Sequence, residues 1–170
     1  MIAYKFLAKG ALEPLSGCAW PISGQEAQVC RAEDLAHWLH EELWVLETEG
    51  AQRSSIDCLV VERARLVRRI DAWQLGDALR FALACAAYAS TLADRVHAAA
   101  ATTVRDYIED ALASGQAGYI GVSAHAAALA VTLASVELGI ESSEEGAYRT
   151  ERARQSAWIA QYVILPNAAL

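Results

Sequence analysis

Polar side chains recur at helical spacing along the last predicted helix, at positions where a simple packed helix would carry leucine. Glu151, Arg152 and Gln155 lie on this stripe, and Tyr162 continues it. Polar groups on a buried stripe need hydrogen-bond partners, which are either one another or a ligand. A carboxylate can transfer a proton, whereas guanidinium, amide and phenol groups bind polar ligands. We therefore predict that Glu151 is catalytic and that Arg152, Gln155 and Tyr162 bind a ligand.

His125 is the second predicted catalytic residue, and it lies in the middle of the most apolar predicted helix. Two interpretations stay open. In the first, the imidazole is a general acid or base that faces a pocket. In the second, it is a neutral structural group with one buried hydrogen-bond partner. The candidates for that partner are Tyr88, Tyr107, Glu151 and Tyr162.

A cluster of four arginines occupies a segment with strand periodicity, residues 63–69. Arg65 and Arg69 could bind an anion, because a guanidinium fork matches the geometry of phosphate or carboxylate. The alternative is a solvated strand face. Glu47 and Glu49 lie on a neighbouring predicted strand, and opposite charges on paired strands are mildly stabilising.

Two further groups of side chains have types that could bind a ligand or a metal ion. Trp20 and Trp38 are predicted to contribute aromatic surface to a ligand pocket. His37, His40 and Glu41 have the spacing of one helical face, and imidazole with carboxylate suits zinc or iron. However, the predicted helix ends within one turn of these residues and would hold ligands poorly, so we predict no metal site. No cofactor is assigned.

Composition limits the class of protein. A chain of 170 residues is long enough for one domain with a substantial core. Its net charge of -7 argues against nucleic acid and anionic membranes as partners. The four cysteines are scattered and the N-terminal residues do not resemble a secretory signal, so we expect reduced thiols and a cytoplasmic location.

The periodicity predicts an α+β fold: a small, mainly antiparallel sheet with one short helix, packed on a four-helix array. The β-rich part spans residues 1–72, with the short helix near 32–41, a turn at 50–55 and a strand at 56–61. The helical part spans residues 73–170, and we expect it to form one compact unit with the first. Its helices are predicted near residues 73–98, 103–113, 117–138 and 142–165, the last capped by Ser142 and Glu145.

Several short segments together resemble a family of uncharacterised bacterial proteins. The resemblance implies a β-rich N-terminal part and an Ala-rich helical remainder, and it implies no activity, cofactor or catalytic residue. The segments are Tyr4-Lys-Phe-Leu7, Ser16-Gly-Cys-Ala-Trp-Pro21, Asp34-Leu-Ala-His-Trp-Leu39, Glu42-Leu-Trp44, Arg65-Leu-Val-Arg-Arg69 with Trp73, and Glu151-Arg-Ala-Arg-Gln155 with Trp158.

Two classes of function are compatible with these observations. The first is an intracellular small-molecule binding protein or enzyme, with a pocket between the sheet and the helices. The second is a non-catalytic interaction module or accessory subunit, for which a homodimer is one form. We prefer the first, because a stripe of Tyr, Glu, Arg and Gln on a long helix is easier to explain around a ligand.

The substitution Arg65→Ala distinguishes a solvated strand face from an anion site. If Arg65 only neutralises a carboxylate on the next strand, the midpoint of urea unfolding should change little, because exposed ion pairs contribute little to stability. Phosphate should then have the same effect on the wild type and the variant. Stabilisation by phosphate that disappears in the variant would establish an anion site instead.

Overall fold

The computed structural model of the chain describes residues 1–8, 19–20 and 26–164, and for residues 19, 20 and 162 it describes the backbone alone. It confirms the predicted α+β class, with an antiparallel sheet and four α-helices among the described residues. The chain divides into two compact units, which are described separately. The sheet unit is Met1–Leu75 with Ser156–Leu170, and the helical unit is Gly76–Gln155.

Among its described residues the sheet unit contains five antiparallel strands, and β5 pairs with three of the others. The spatial order is β1-β4-β5-β2, and β3 also pairs with β5. The strands are β1 (Ile2–Leu7), β2 (Ala19–Trp20), β3 (Ala27–Val29), β4 (Glu42–Ser54) and β5 (Leu59–Arg69).

The sheet curls until β3 meets β1. The N–H of Tyr4 donates to the carbonyl of Cys30 at 2.9 Å, and the N–H of Cys30 donates to the carbonyl of Tyr4 at 2.7 Å. One face of the curled sheet is therefore enclosed by the strands and buried. Small and branched apolar side chains fill it, because little space remains when strands approach from all sides. They are Ala3, Ala27, Val29, Leu46, Leu59, Val61 and Ala64.

The predicted turn at residues 50–55 is wrong, because β4 continues through it to Ser54. Gly50 has a φ of 80° and lies at an irregularity of register between Glu49 and Gln52. Glycine accommodates this left-handed conformation, so the strand bulges and does not end. The predicted strand at 56–61 is also displaced: β5 begins at Leu59, and Ile56 is 93% exposed in the connection.

The short helix is a 3-10 helix, Ala32–Trp38, and is shorter than the predicted 32–41. Arg31 Nε donates to Asp34 Oδ2 at 2.5 Å across its first turn. The N–H of Ala36 donates to Ser156 Oγ at 3.0 Å. This bond ties the 3-10 helix to the C-terminal segment of the sheet unit.

The helical unit has a core of alanine and branched side chains from three helices. Alanine allows helices to approach closely, and Ser123 Oγ donates to the carbonyl of Ala111 at 2.6 Å where two helices meet. The helices are α1 (Leu75–Ala93), α2 (Ala98–Gln116), α3 (Ile120–Glu137) and α4 (Glu144–Ile159), followed by a π-helical turn, Ala160–Ile164. One cluster of its core residues comprises Ala89, Leu92, Ala93, Val104, Ile108, Ala130, Val131 and Ala134.

Helices α1 and α3 begin at Leu75 and Ile120, after the predicted residues 73 and 117, and the starts of α2 and α4 also differ from the predictions. Helix α2 begins at Ala98, ahead of the predicted Thr103, because the alanines before Thr102 are strong helix formers without an amphipathic pattern. At the start of α4 the cap is Ser143 and not Ser142: the N–H of Gly146 donates to Ser143 Oγ at 3.1 Å.

Helix α3 is, among the described residues, the one helix long and apolar enough to cross a membrane by length and composition. However, 61% of it is buried inside the protein. Packing against the other helices of its unit therefore accounts for its apolar character.

The interior of the curled sheet should carry much of the stability of the sheet unit. Leu46→Ala should lower the free energy of unfolding by about 2–5 kcal/mol, because it removes a fully buried side chain and leaves a cavity. The matched control is Val67→Ala on β5, where 48% of the side chain is exposed. Equal losses for the two variants in urea unfolding would contradict a core at this face.

Candidate functional site

The carboxylate of Glu151 is buried and holds three N–H donors. Arg154 donates from Nε and Nη2 at 2.7 Å each, one bond to each carboxylate oxygen. Gln155 Nε2 donates to Glu151 Oε1 at 3.0 Å. Only 2% of Glu151 is exposed, so these bonds replace the water that a free carboxylate would bind.

Gln155 connects this carboxylate to a second guanidinium and to α3. Its Nε2 also donates to the carbonyl of Ala124 at 3.1 Å, and its Oε1 accepts from Arg152 Nη1 at 2.7 Å. Arg152 and Gln155 are both buried, as the polar stripe on the sequence predicts. We refer to Glu151, Arg152, Arg154 and Gln155 as the α4 polar cluster.

The α4 polar cluster also affects a thiol and a phenol of α1. Burial and, to a smaller extent, the carboxylate of Glu151 raise the pKa of Cys85 to about 12, against the opposing effect of the two arginines. The guanidinium carbon of Arg154 lies 4.0 Å from the ring centroid of Tyr88, a cation–π contact.

His125 is exposed, which corrects the expectation of a buried imidazole. Most of α3 is buried, but His125 and Val122, one turn apart, face solvent. Among the described side chains the partner of the ring is Tyr148, and not the predicted Tyr88, Tyr107 or Glu151: Nδ1 lies 2.9 Å from the Tyr148 hydroxyl. Partial burial lowers the pKa of His125, and the positive charge of Arg152 lowers it further.

Tyr148 joins His125 to the α4 polar cluster. The guanidinium carbon of Arg152 lies 5.9 Å from the ring centroid of Tyr148, and the two aromatic rings of Tyr148 and His125 meet edge to face at 5.7 Å. The structure therefore brings together four predicted site residues: His125, Glu151, Arg152 and Gln155. Tyr162, a predicted ligand-binding residue, lies outside the described side chains.

The remaining predicted site residues belong to the sheet unit. Arg65 donates to Glu47 directly across the paired strands, and Arg63 is opposite Glu49, as predicted for a solvated strand face. A shallow cavity of about 250 Å³ lies along these four side chains. Arg69 contacts Asp71 at 3.1 Å and Glu42 at 3.5 Å. Anion binding by Arg65 and Arg69 stays a prediction.

Trp38 is half-buried and forms a hydrogen bond to the connection between β4 and β5. Its Nε1 donates to the carbonyl of Asp57 at 2.8 Å, and Lys5 Nζ lies 5.3 Å from its ring centroid. The side chain of Trp20 lies outside the described part of the chain. Ligand binding by either tryptophan stays a prediction.

The single helical face predicted for His37, His40 and Glu41 does not form. The 3-10 helix ends at Trp38, and His40 Nδ1 instead accepts the N–H of Glu41 at 3.0 Å. Within residues 1–8, 19–20 and 26–164, no group of three or more His, Cys, Asp and Glu side chains is arranged to hold a metal ion.

Sequence reasoning missed Arg154 and Tyr148 as members of the site. The signal for Arg154 was its position three residues after Glu151, a spacing at which helical side chains meet. Tyr148 lay on the predicted polar stripe, but nothing in the sequence pairs it with His125, because the two belong to different helices.

Comparisons with protein-family models, curated proteins and solved structures found no match for this chain. The resemblance to a family of uncharacterised bacterial proteins therefore stays a prediction.

The carboxylate of Glu151 should be the group on which the α4 polar cluster depends. Glu151→Leu removes the acceptor of Arg154 and of Gln155, and should lower the free energy of unfolding by at least about 2 kcal/mol. Glu145→Leu is the matched control, because Glu145 forms an exposed pair with Arg149 on the same helix. Urea unfolding curves that shift equally in both variants would contradict this role.

Proposed function

We propose that this protein binds a small organic anion on the face of the helical unit formed by His125, Tyr148 and the α4 polar cluster. The observation that carries the proposal is charge. The α4 polar cluster contributes two guanidinium groups and one carboxylate to this face. Positive charge in a buried environment is weakly screened and acts at longer range than on an open surface.

The exposed end of this face has the groups that would contact an anion. The imidazole of His125 and the hydroxyl of Tyr148 are within hydrogen-bond distance of each other. When the ring is protonated, Nδ1–H can donate to Tyr148, while Nε2–H and the Tyr148 hydroxyl donate to a carboxylate or phosphate oxygen. Arg152 already acts on the imidazole, because its charge lowers the pKa of His125. An anion placed at the ring would be attracted by the same charge.

The cost of burying charge also favours a role beyond packing. Apolar residues of similar volume often stabilise a core as well as a buried ion pair does, or better. Arg152 is 4% exposed and Gln155 is fully buried, so both lose hydration that leucine would not. Ligand binding explains why such residues occupy a core-facing stripe.

We propose binding without assigning a reaction. The oxygens of Glu151 are occupied by Arg154 and Gln155, which leaves little capacity for proton transfer to a substrate. Catalysis by His125 or Glu151 stays a prediction. A cytoplasmic location is also proposed, and the free thiols of Cys30, Cys58 and Cys85 support it.

Titration of the His125 ring by NMR tests anion binding directly. Inorganic phosphate, citrate and succinate are added in turn to the wild-type protein. A bound anion should raise the pKa of His125, because negative charge near the ring favours the imidazolium. The imidazole should then be protonated over a wider range of pH, and anion affinity should increase as the pH falls.

The substitution Tyr148→Phe should weaken binding of the responding anion about tenfold, because it removes one hydrogen bond to a charged group. Tyr119→Phe is the matched control, since Tyr119 is exposed and lies before α3. The proposal fails if none of the three anions changes the His125 titration, or if both variants lose affinity equally.

A second function, an interaction module, is favoured by a separate observation. Apolar side chains are exposed at the end of α2, in the connection and in the first turn of α3, at Leu112, Tyr119 and Val122. Self-association through this region would give a homodimer. Sedimentation equilibrium of the wild type and of Val122→Asp measures it: a dimer that the variant loses would support the interaction module.

A further inference from the structure

Two buried cysteines face each other across neighbouring strands of the sheet unit. Strands β3 and β5 pair antiparallel, with Ala27 opposite Val61 and Val29 opposite Leu59. Continuing this register by one residue places Cys30 opposite Cys58. Both thiols are free and buried.

The backbone hydrogen bonds show which kind of cross-strand position this is. The N–H and carbonyl of Cys30 both bond to Tyr4 on β1, so they point away from β5. The carbonyl of Cys58 accepts from the N–H of Ser55, on the β4 side of β5. Cys30 and Cys58 therefore form a non-hydrogen-bonded pair, in which opposite Cα atoms lie about 4.5 Å apart and side chains lie closest. A disulfide needs a Cα separation of about 4.4–6.8 Å.

Charge interactions place a third group beside the two thiols. Burial raises the pKa of Cys30 to about 12, and the ammonium of Lys5 acts in the opposite direction. Burial lowers the pKa of Lys5, and the charges of Cys30 and Cys58 oppose that shift. Lys5 is held in place by its bond to the carbonyl of Gln28 at 2.9 Å.

We propose that Cys30 and Cys58 form a redox site, a dithiol that small disulfides such as oxidised glutathione convert to a cross-strand disulfide. The reaction is thiol–disulfide exchange. One cysteine thiolate attacks the oxidant, forms a mixed disulfide and releases one glutathione thiolate. The second cysteine thiolate attacks the mixed disulfide, forms the Cys30–Cys58 bond and releases the second glutathione. Two electrons pass to the oxidant, and the two thiol protons end on the released glutathione molecules.

The Cys30–Cys58 disulfide would stabilise the sheet unit. It would join β3 to β5 covalently and enclose the 3-10 helix and β4 in the loop between the two cysteines. Burial and a high thiol pKa make the dithiol slow to react in the native state, so the reduced form persists until the strands open or the oxidant is in large excess. The proposal does not depend on anion binding by the helical unit.

Refolding tests the pairing without requiring access to the native interior. The reduced, unfolded chain is refolded in a buffer of reduced and oxidised glutathione, and its disulfides are mapped by mass spectrometry of peptides. We expect one intramolecular bond, Cys30–Cys58. The oxidised protein should melt about 5 °C or more above the reduced protein, because the bond restricts the unfolded chain.

Two control variants and one test variant make the result specific. Cys85→Ser should leave the Cys30–Cys58 bond and the rise in melting temperature unchanged, and so should Cys18→Ser, whose position lies outside the described residues. Cys58→Ser should abolish both. The proposal is overturned if refolded wild type carries no disulfide, if Cys30 pairs with Cys18 or Cys85, or if oxidation lowers the melting temperature.

The native protein gives a second, kinetic readout. Oxidation of the folded wild type by excess oxidised glutathione should accelerate as the pH rises from 7 to 9, since the thiolate is the attacking species. Lys5→Met should slow this reaction, because it removes the charge that favours the thiolate. A rate that is independent of both pH and Lys5 would contradict the assignment of Lys5 to this site.

Discussion

The two hydrogen bonds between Tyr4 and Cys30 are the constraint on which the sheet unit depends. Without them β1 and β3 would be the exposed edges of an open sheet. The face that carries Leu46 and Val61 would then be exposed to solvent unless another element packed on it. With them the sheet curls around its own small side chains. The same two bonds direct the N–H and carbonyl of Cys30 towards β1 and away from β5.

In the helical unit the comparable constraint is the buried carboxylate of Glu151. A carboxylate that is 2% exposed must recover the hydrogen bonds that water provided, and here Arg154 and Gln155 supply them. Gln155 in turn contacts the backbone of α3 and the guanidinium of Arg152. One charge therefore orders the side chains on a helical stripe, and Arg152 on that stripe lowers the pKa of His125.

The two groups of arginines differ in what their charges can do. Arg65 is exposed and faces Glu47 across a strand pair, so solvent and the carboxylate screen its charge. Arg152 is buried, and its charge reaches the imidazole of His125. The short spacing of the arginines at residues 63–69 predicts an anion site on β5. Burial nevertheless makes the charge of Arg152 less screened than that of Arg65.

The sequence by itself determined the α+β class, the polar stripe on α4 and the charge pairing of β4 with β5, because periodicity and opposite charges are local properties of the chain. It did not determine that His125 is exposed: apolar residues surround α3 almost evenly, so no pattern marks the outer face. It did not separate a bulge from a turn at Gly50, because glycine suits both. The position of Cys30 opposite Cys58, on which the proposed disulfide depends, could be inferred only from the tertiary structure, since it follows from the register of two strands that are distant in the chain.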